Sequence, residues 1–323
     1  MTTCLSCQGD RLSRVRPYRF VSRRGGGREV FGAPWLMECP ACGLVQAVPQ
    51  PSPEALDRYY REDYRKGGLH GADVADPAAF PRDNLFYFNR GRSIAELVAR
   101  HVTAAKPRVL DIGAGWGHLL HALGERFPGA ERHAVEYSQV CVEHLRTIGV
   151  DVDSRPVEEV LPAVRARFDL ITLSHVLEHL LRPAHGLGLI REALAPGGVL
   201  YIEVPHIGRE ALRRYADHRW APRFDEPHIT FFSPPALRRL LGAAGFTELF
   251  CDTAGPAYRY VSGLRFRLPP LRATVAALLP KPVFDYLRGR AATSGLRVQE
   301  REPEFYEYGG DRIWIRSVWR LGG

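Results

Sequence analysis

Val109-Leu110-Asp111-Ile112-Gly113-Ala114-Gly115-Trp116-Gly117, followed by an apolar run that ends at Glu136, decides how this chain of 323 residues is read. An apolar strand that enters three alternating glycines and then a helix must turn tightly, and the glycines carry no Cβ to hold a flat ligand away. A dinucleotide calls for G-x-G-x-x-G, which seats a pyrophosphate on a helix N-terminus. Here the third position of that pattern is His118. Asp111, two residues before the first glycine, also puts negative charge where a pyrophosphate would lie, whereas a zwitterion with an ammonium group is served by it. Glu136, nineteen residues after Gly117, falls at the tip of the second strand, where a carboxylate can accept hydrogen bonds from two ribose hydroxyls.

The acid, the turn of Gly113, Gly115 and Gly117, and the ribose acid together suit S-adenosylmethionine. These residues resemble the class I S-adenosylmethionine-dependent methyltransferases, whose first motif, hydrophobic-L-D-x-G-x-G-x-G, is matched without a gap. The stretch Phe168-Asp169-Leu170-Ile171-Thr172-Leu173-Ser174-His175-Val176-Leu177-Glu178-His179-Leu180 is similar to the fourth strand and following turn of small-molecule members. Pro196-Gly197-Gly198-Val199-Leu200-Tyr201-Ile202 is similar to the turn into their fifth strand. The resemblance implies methyl transfer from S-adenosylmethionine, with Ser174 beside the cofactor. It also implies an acid near the adenine after the third strand, and there the run Asp153-Ser154-Arg155-Pro156 departs from the pattern with a proline.

Around these motifs strands and helices alternate: strand 108–112, helix 116–126, strand 132–136, helix 138–147, a short strand 151–153, strand 168–173, helix 183–194 and strand 198–204. That alternation predicts a Rossmann-like, doubly wound α/β sheet whose ligands bind beyond the carboxyl ends of the strands. Ser233 caps a further helix with Pro234 and Pro235 in its first turn, and Gly245-Phe246 opens another strand. The run 312–320, alternating apolar and charged residues, is the expected closing, antiparallel strand. The expected organisation is a zinc ribbon at 1–50, a linker and cofactor-covering helices at 51–105 and a methyltransferase core at 106–255. An insertion at 256–308 and the closing strand at 309–323 complete it.

Four of the six cysteines form Cys4-x-x-Cys7 and Cys39-x-x-Cys42. Two such knuckles can aim four thiolates at one tetrahedral ion, for which zinc is the expected metal. With every position taken by sulfur, no coordination site stays open for water, so the role is structural. Strands are expected at 18–21 and 29–31, separated by Gly25-Gly26-Gly27. Pro49-Gln50-Pro51-Ser52-Pro53 then reads as an extended linker, followed by helices at 54–64 and 84–102.

The net charge of +8 permits an anionic partner and proves none. No signal peptide and no apolar run of about 18 residues is evident, which places the expected protein in the cytoplasm. Aromatic, aliphatic and basic residues mix at 264–290, a composition that suits peripheral membrane contact or a helical lid. In-line displacement from a sulfonium needs alignment above all, and a hydroxyl or carbon acceptor also needs a base, a task that suits histidine. His228, before Phe231-Phe232-Ser233, and His175, after the fourth strand, are the base candidates; His206 is a third histidine at that edge and His179 reads as structural. The ribbon joined to this core resembles enzymes that modify sugars, glycans or natural products, so the expected acceptor is a small molecule, including a phosphorylated or lipid-linked sugar. A zinc-containing RNA methyltransferase is the alternative. Against it, Ser174-His175 stands where an Asn/Asp-Pro-Pro-aromatic motif would be, and basic residues form no long stripe with interleaved aromatics.

Overall fold

The computed structural model describes residues 2–18, 30, 32–63, 85–206, 228–256, 306–309 and 312–322. They belong to two compact units: Met1–Gly255 with Tyr308–Gly323, and Pro256–Glu307. The insertion segment 264–290 lies outside the described residues.

In the first unit a mixed sheet runs in the order β10-β11-β8-β7-β4-β5-β6. These are β4 (Arg108–Ile112), β5 (Glu131–Val135), β6 (Asp151–Asp153), β7 (Phe168–Ser174), β8 (Leu194–Pro205), β10 (Phe246–Pro256) and the closing β11 (Trp314–Leu321). β11 runs antiparallel to both neighbours, and β4 through β8 are mutually parallel. The chain leaves β4 for β5 on one side and returns to β7 on the other. The order therefore reverses at β4/β7, the crevice where doubly wound sheets take their ligands.

The two-residue period of the strands divides the core. Val109, Leu170, Val199, Tyr201 and Val318 face helices α2 (Leu85–Ala99) and α3 (His118–Arg126). Leu110, Ile112, Ile171, Leu173, Leu200 and Ile202 face α6 (Pro183–Ala193) and α7 (Pro234–Ala243) on the other side. Shorter helices α4 (Gln139–Thr147) and α5 (Val157–Val160) follow β5 and β6. Ser233 caps α7, its hydroxyl accepting from the N–H of Ala236 at 3.4 Å, and Leu237, Leu240 and Leu241 are buried beneath it. Each such leucine stabilises the fold by about 1.5–3 kcal/mol relative to exposure, against about 1 kcal/mol for the cap, so burial decides where this helix sits. β11 departs from its expected alternation of inward apolar and outward charged residues. Arg316 and Ser317 are as buried as Ile315 and Val318, because helices cover both faces of the sheet there.

The N-terminal segment forms a second sheet, β1 (Ser13–Pro17), β2 (Trp35–Glu38), β3 (Val45–Val48) and β9 (Thr230–Phe231), in that order. The described strands lie next to the knuckles: β2 feeds Cys39 directly and Ser13 of β1 pairs with Glu38, while the strands expected at 18–21 and 29–31 fall almost wholly outside the described residues. Residues 19–29 and 31 are outside the described ones. The fourth strand comes from far along the chain: Val45 pairs with Phe231 and Gln46 with Thr230. Cys4, Cys39, Cys42 and Leu44 pack into the same apolar cluster as Leu237 and Trp319, so ribbon and main sheet share a core. Ser52 ends the linker by capping α1 (Pro53–Arg58), which continues as a π-helix over Tyr59–Asp63. Among the described residues no helix is long and apolar enough to cross a membrane.

Candidate active site

The glycine turn stands at the carboxyl end of β4 with all three glycines left-handed, φ being 73° at Gly113, 55° at Gly115 and 79° at Gly117. A Cβ on Gly113 would lie 2.5 Å from Val176 Cγ2, and one on Gly117 would lie 2.5 Å from Leu145 Cδ2. The turn thus demands glycine for its own packing as well as for a ligand. Gly117 opens α3 with no side-chain cap. Glu136, 7% exposed, closes the turn from β5: its carboxylate accepts from the N–H of Gly115 at 2.7 Å and of Ser138 at 2.8 Å. Asp111 is buried and accepts from the Thr172 hydroxyl at 2.6 Å, the two residues being register partners on β4 and β7. Burial, with the charge of Glu136 adding to it, pushes the Asp111 carboxyl up to about 7 despite the Thr172 bond and the nearby Arg90.

Beside the turn lies a charged network that inspection of the sequence did not single out. Glu203 of β8, fully buried, takes Arg90 of α2 through Nε at 2.7 Å and through Nη2, Arg316 of β11 through Nε at 2.5 Å, and the Tyr201 hydroxyl at 3.1 Å. Arg90 Nη2 also donates to the Ser174 hydroxyl at 2.6 Å, which ties that predicted cofactor neighbour to α2. Arg90 uses Nε and Nη2 in these bonds, leaving Nη1 uncommitted among the described residues, and its guanidinium stacks 5.0 Å over Trp314. Burial opposes the Glu203 charge, but two arginines and His175 outweigh it and hold the carboxyl well below the usual range. A signal was present: an acid inside the apolar run Leu200-Tyr201-Ile202-Glu203-Val204 must find buried cations.

His175 follows β7 with a left-handed backbone, φ 58°. Its Nε2 lies 3.3 Å from Glu203 and its Nδ1 3.4 Å from Glu178. Burial and Arg90 disfavour the imidazolium, yet the two carboxylates prevail and the imidazole pKa is raised. The ring centroid of His228 is 4.8 Å from that of His179, and Tyr60 of the π-helix meets His179 edge-on at 5.9 Å. A nitrogen of His179, one of His228 and an oxygen of Glu178 lie within 4.8 Å of one another. The chain thus brings His175, His179 and His228 around Glu178, and His179 has neighbours its turn alone did not announce. His206 is drawn off to β11, with Nδ1 2.8 Å from the Arg312 carbonyl.

The four ribbon sulfurs converge, all within 4.8 Å of one another, with Cys4 and Cys42 3.4 Å apart and Cys7 and Cys39 3.5 Å apart. These separations are too long for a disulfide and slightly inside the ~3.8 Å edge of a tetrahedral zinc–thiolate site. The knuckles repeat each other. Cys4 N donates to Gly9 O and Gln8 N to Cys4 O, as Cys39 N donates to Leu44 O and Gly43 N to Cys39 O. The residue after each second cysteine is left-handed, Gln8 at φ 60° and Gly43 at 74°. Backbone N–H groups also aim at sulfur, Ser6 N lying 3.4 Å from Cys4 Sγ, a disposition that favours thiolates.

A family model described as a methyltransferase domain matches residues 85–249, just over half the chain. A ubiquinone biosynthesis O-methyltransferase of Chelativorans sp. (strain BNC1) is 29% identical over 220 residues, covering 64% of this chain and 82% of that protein. A trans-aconitate 2-methyltransferase of Methylobacterium radiotolerans is 27% identical over 205 residues, covering 62% and 76%. Among solved structures, a 1,6-didemethyltoxoflavin-N1-methyltransferase of Burkholderia thailandensis superposes with a TM-score of 0.47 at 16% identity, covering 95% of this chain and 100% of that one.

Proposed function

This chain belongs to the methyltransferase-domain family and is an S-adenosylmethionine-dependent methyltransferase; from that premise we propose that it methylates a hydroxyl of a small molecule, in the class of sugars, glycan precursors and natural products. The observation that carries the reading is the glycine turn at the strand-order reversal, closed by Glu136. The cofactor supplies an electrophilic methyl on a sulfonium sulfur. Glu136 retains acceptor capacity beyond its two backbone bonds and takes the ribose hydroxyls. Arg90 Nη1 offers a charge-assisted donor for the methionine carboxylate, and the Asp111 carboxylate complements its ammonium.

For the base, the structure favours His228 over His175. A group flanked on both nitrogens by carboxylates keeps its proton and is a poor proton acceptor, which describes His175. His228 would take the proton of the acceptor hydroxyl, the bound cofactor supplying the methyl and the neutral thioether as leaving group. The O-methyltransferase and trans-aconitate relatives act on small molecules, which supports this substrate scale. The ribbon thiolates fit zinc by donor chemistry, convergence and the N–H groups aimed at them, and with four sulfurs the ion would be structural.

The test is isothermal titration of zinc-analysed protein with S-adenosylmethionine, then transfer of labelled methyl to a panel of sugars and catechols. Glu136→Ala is expected to weaken cofactor binding by roughly ten- to a hundredfold, the worth of hydrogen bonds to a charged group. Absence of binding to the intact, zinc-loaded chain would overturn the reading.

A further inference from the structure

Glu178 is the charged side chain that the proposed chemistry leaves without a task. Its carboxylate is 1% exposed, and among the described residues neither oxygen has a hydrogen bond of ordinary geometry. A buried carboxylate in that position is costly and must either neutralise itself or gather cations. Three imidazoles surround it. His175 Nδ1 is 3.4 Å and His179 Nε2 3.8 Å from the same oxygen, and His228 completes the cluster from the strand that joins the ribbon sheet. Burial alone would raise this carboxyl, yet the imidazoles together hold its pKa below the usual carboxylate value.

The backbone builds the same convergence. The Glu178 carbonyl accepts from the N–H of Ile229 at 2.8 Å, which fixes the residue after His228 to the turn that carries Glu178. Among the described residues, the groups that face the cluster from other elements are few. Tyr60, itself edge-on to Tyr59, covers His179 from the π-helix, and the Tyr18 phenol lies against the His228 backbone, pushed up by burial and so neutral. Arg90 from α2 and Glu203 from β8 reach His175, and Trp314 from β11 meets its ring edge-on at 5.8 Å. Among the described residues Glu178 and Glu203 are therefore the anions of this cluster, and Glu178 alone is shared by all three rings.

We propose that Glu178 is a positioning residue that couples the three histidines into one titrating unit: it holds the proton on His175 and sets the orientation and basicity of His228 through the His179–His228 pair. The role rests on the reading of His228 as the base. When His228 receives the acceptor's proton, the imidazolium forms next to a carboxylate already in place, so the charge meets a group that has no need to move.

The experiment follows the imidazole nitrogens of the full, zinc-loaded protein by 15N NMR through a pH titration without cofactor or acceptor, in the native chain and in Glu178→Gln and Glu178→Asp. Retained S-adenosylmethionine affinity certifies that each variant is folded. In Glu178→Gln the His175 and His228 resonances are expected to titrate at lower pH, since a cation loses its partner, and Glu178→Asp, which keeps the charge, is expected to restore the shift in part. Unchanged titration of both rings in Glu178→Gln would overturn the coupling. Broadening of the His179 and His228 resonances by Mn2+ that disappears in Glu178→Gln would also overturn it, because the carboxylate would then serve a cation. The base itself is read separately: His228→Gln is expected to lose about a hundredfold in methyl transfer to the first acceptor found in the panel. Full activity of that variant, with His175 and His228 titrating at lower pH in Glu178→Gln as expected, would sink the base and leave the coupling standing.

Discussion

At the scale of single residues, Asp111 joins stability to ligand binding. Its folded pKa is raised from 3.8 to about 7, so the folded state binds this proton more tightly than the unfolded chain does. For this group, stability is fullest below about 3.8 and declines as pH climbs to about 7, the reverse of a salt-bridged carboxylate. Asp111→Asn is therefore expected to be more stable than the native chain near pH 8, by an amount on the order of 4 kcal/mol at most, and to lose that advantage in acid. Thermal denaturation at the two pH extremes checks it. The same substitution is expected to weaken cofactor binding, because the ammonium loses its counter-charge, and titration calorimetry reads that loss. Gly113→Ala makes a second residue-scale prediction. A left-handed alanine costs about 1–2 kcal/mol, and its Cβ must also displace Val176. The variant is expected to melt earlier and to lose cofactor affinity together, as both depend on one turn.

At the scale of elements, Glu203 fastens three of them: α2 through Arg90, β11 through Arg316 and the end of β7 through His175. Glu203→Gln would leave two buried guanidiniums facing a neutral amide, and breaking such a pair costs about 3–5 kcal/mol. Denaturant unfolding is expected to register a loss of that size, with Arg316→Met in the same chain recovering part of it, because the second change removes a stranded charge. This network also marks where sequence reading stopped. Strands 108–112 and 151–153 were legible to the residue, and the glycine turn and the start of the capped helix after Ser233 were legible too, because each has a local signature in period, glycine or cap. Arg90 and Arg316 have none. On a helix or strand read alone they look like solvated charges, and only the pairing of β11 with β8, Arg316 opposite Glu203, buries them together. The π-helix at Tyr59–Asp63 was likewise unreadable, since its residues have the same helical pattern as α1 before it.

At the scale of the whole molecule, the cysteine-bearing segment and the main sheet share one apolar core. The knuckles were legible from cysteine spacing, but the strands that flank them were not, because their fourth member arrives some 180 residues later, at Thr230–Phe231. Removing the proposed zinc by a strong chelator, or Cys42→Ser, is expected to lower the melting temperature of the entire unit in a single transition, since Cys4, Cys39 and Cys42 belong to the core that also holds Leu237 and Trp319. Two separated transitions by calorimetry would contradict that expectation. One residue shows how far the dependence reaches: the Ile229 carbonyl accepts from Ala47 N–H at 2.9 Å, while the Ile229 N–H donates to the Glu178 carbonyl at 2.8 Å. An engineer who pares the chain down to its cofactor-binding half would discard the abutment against which His228 is set. The outcome would be an enzyme that still holds its methyl donor and has lost its grip on where the proton goes.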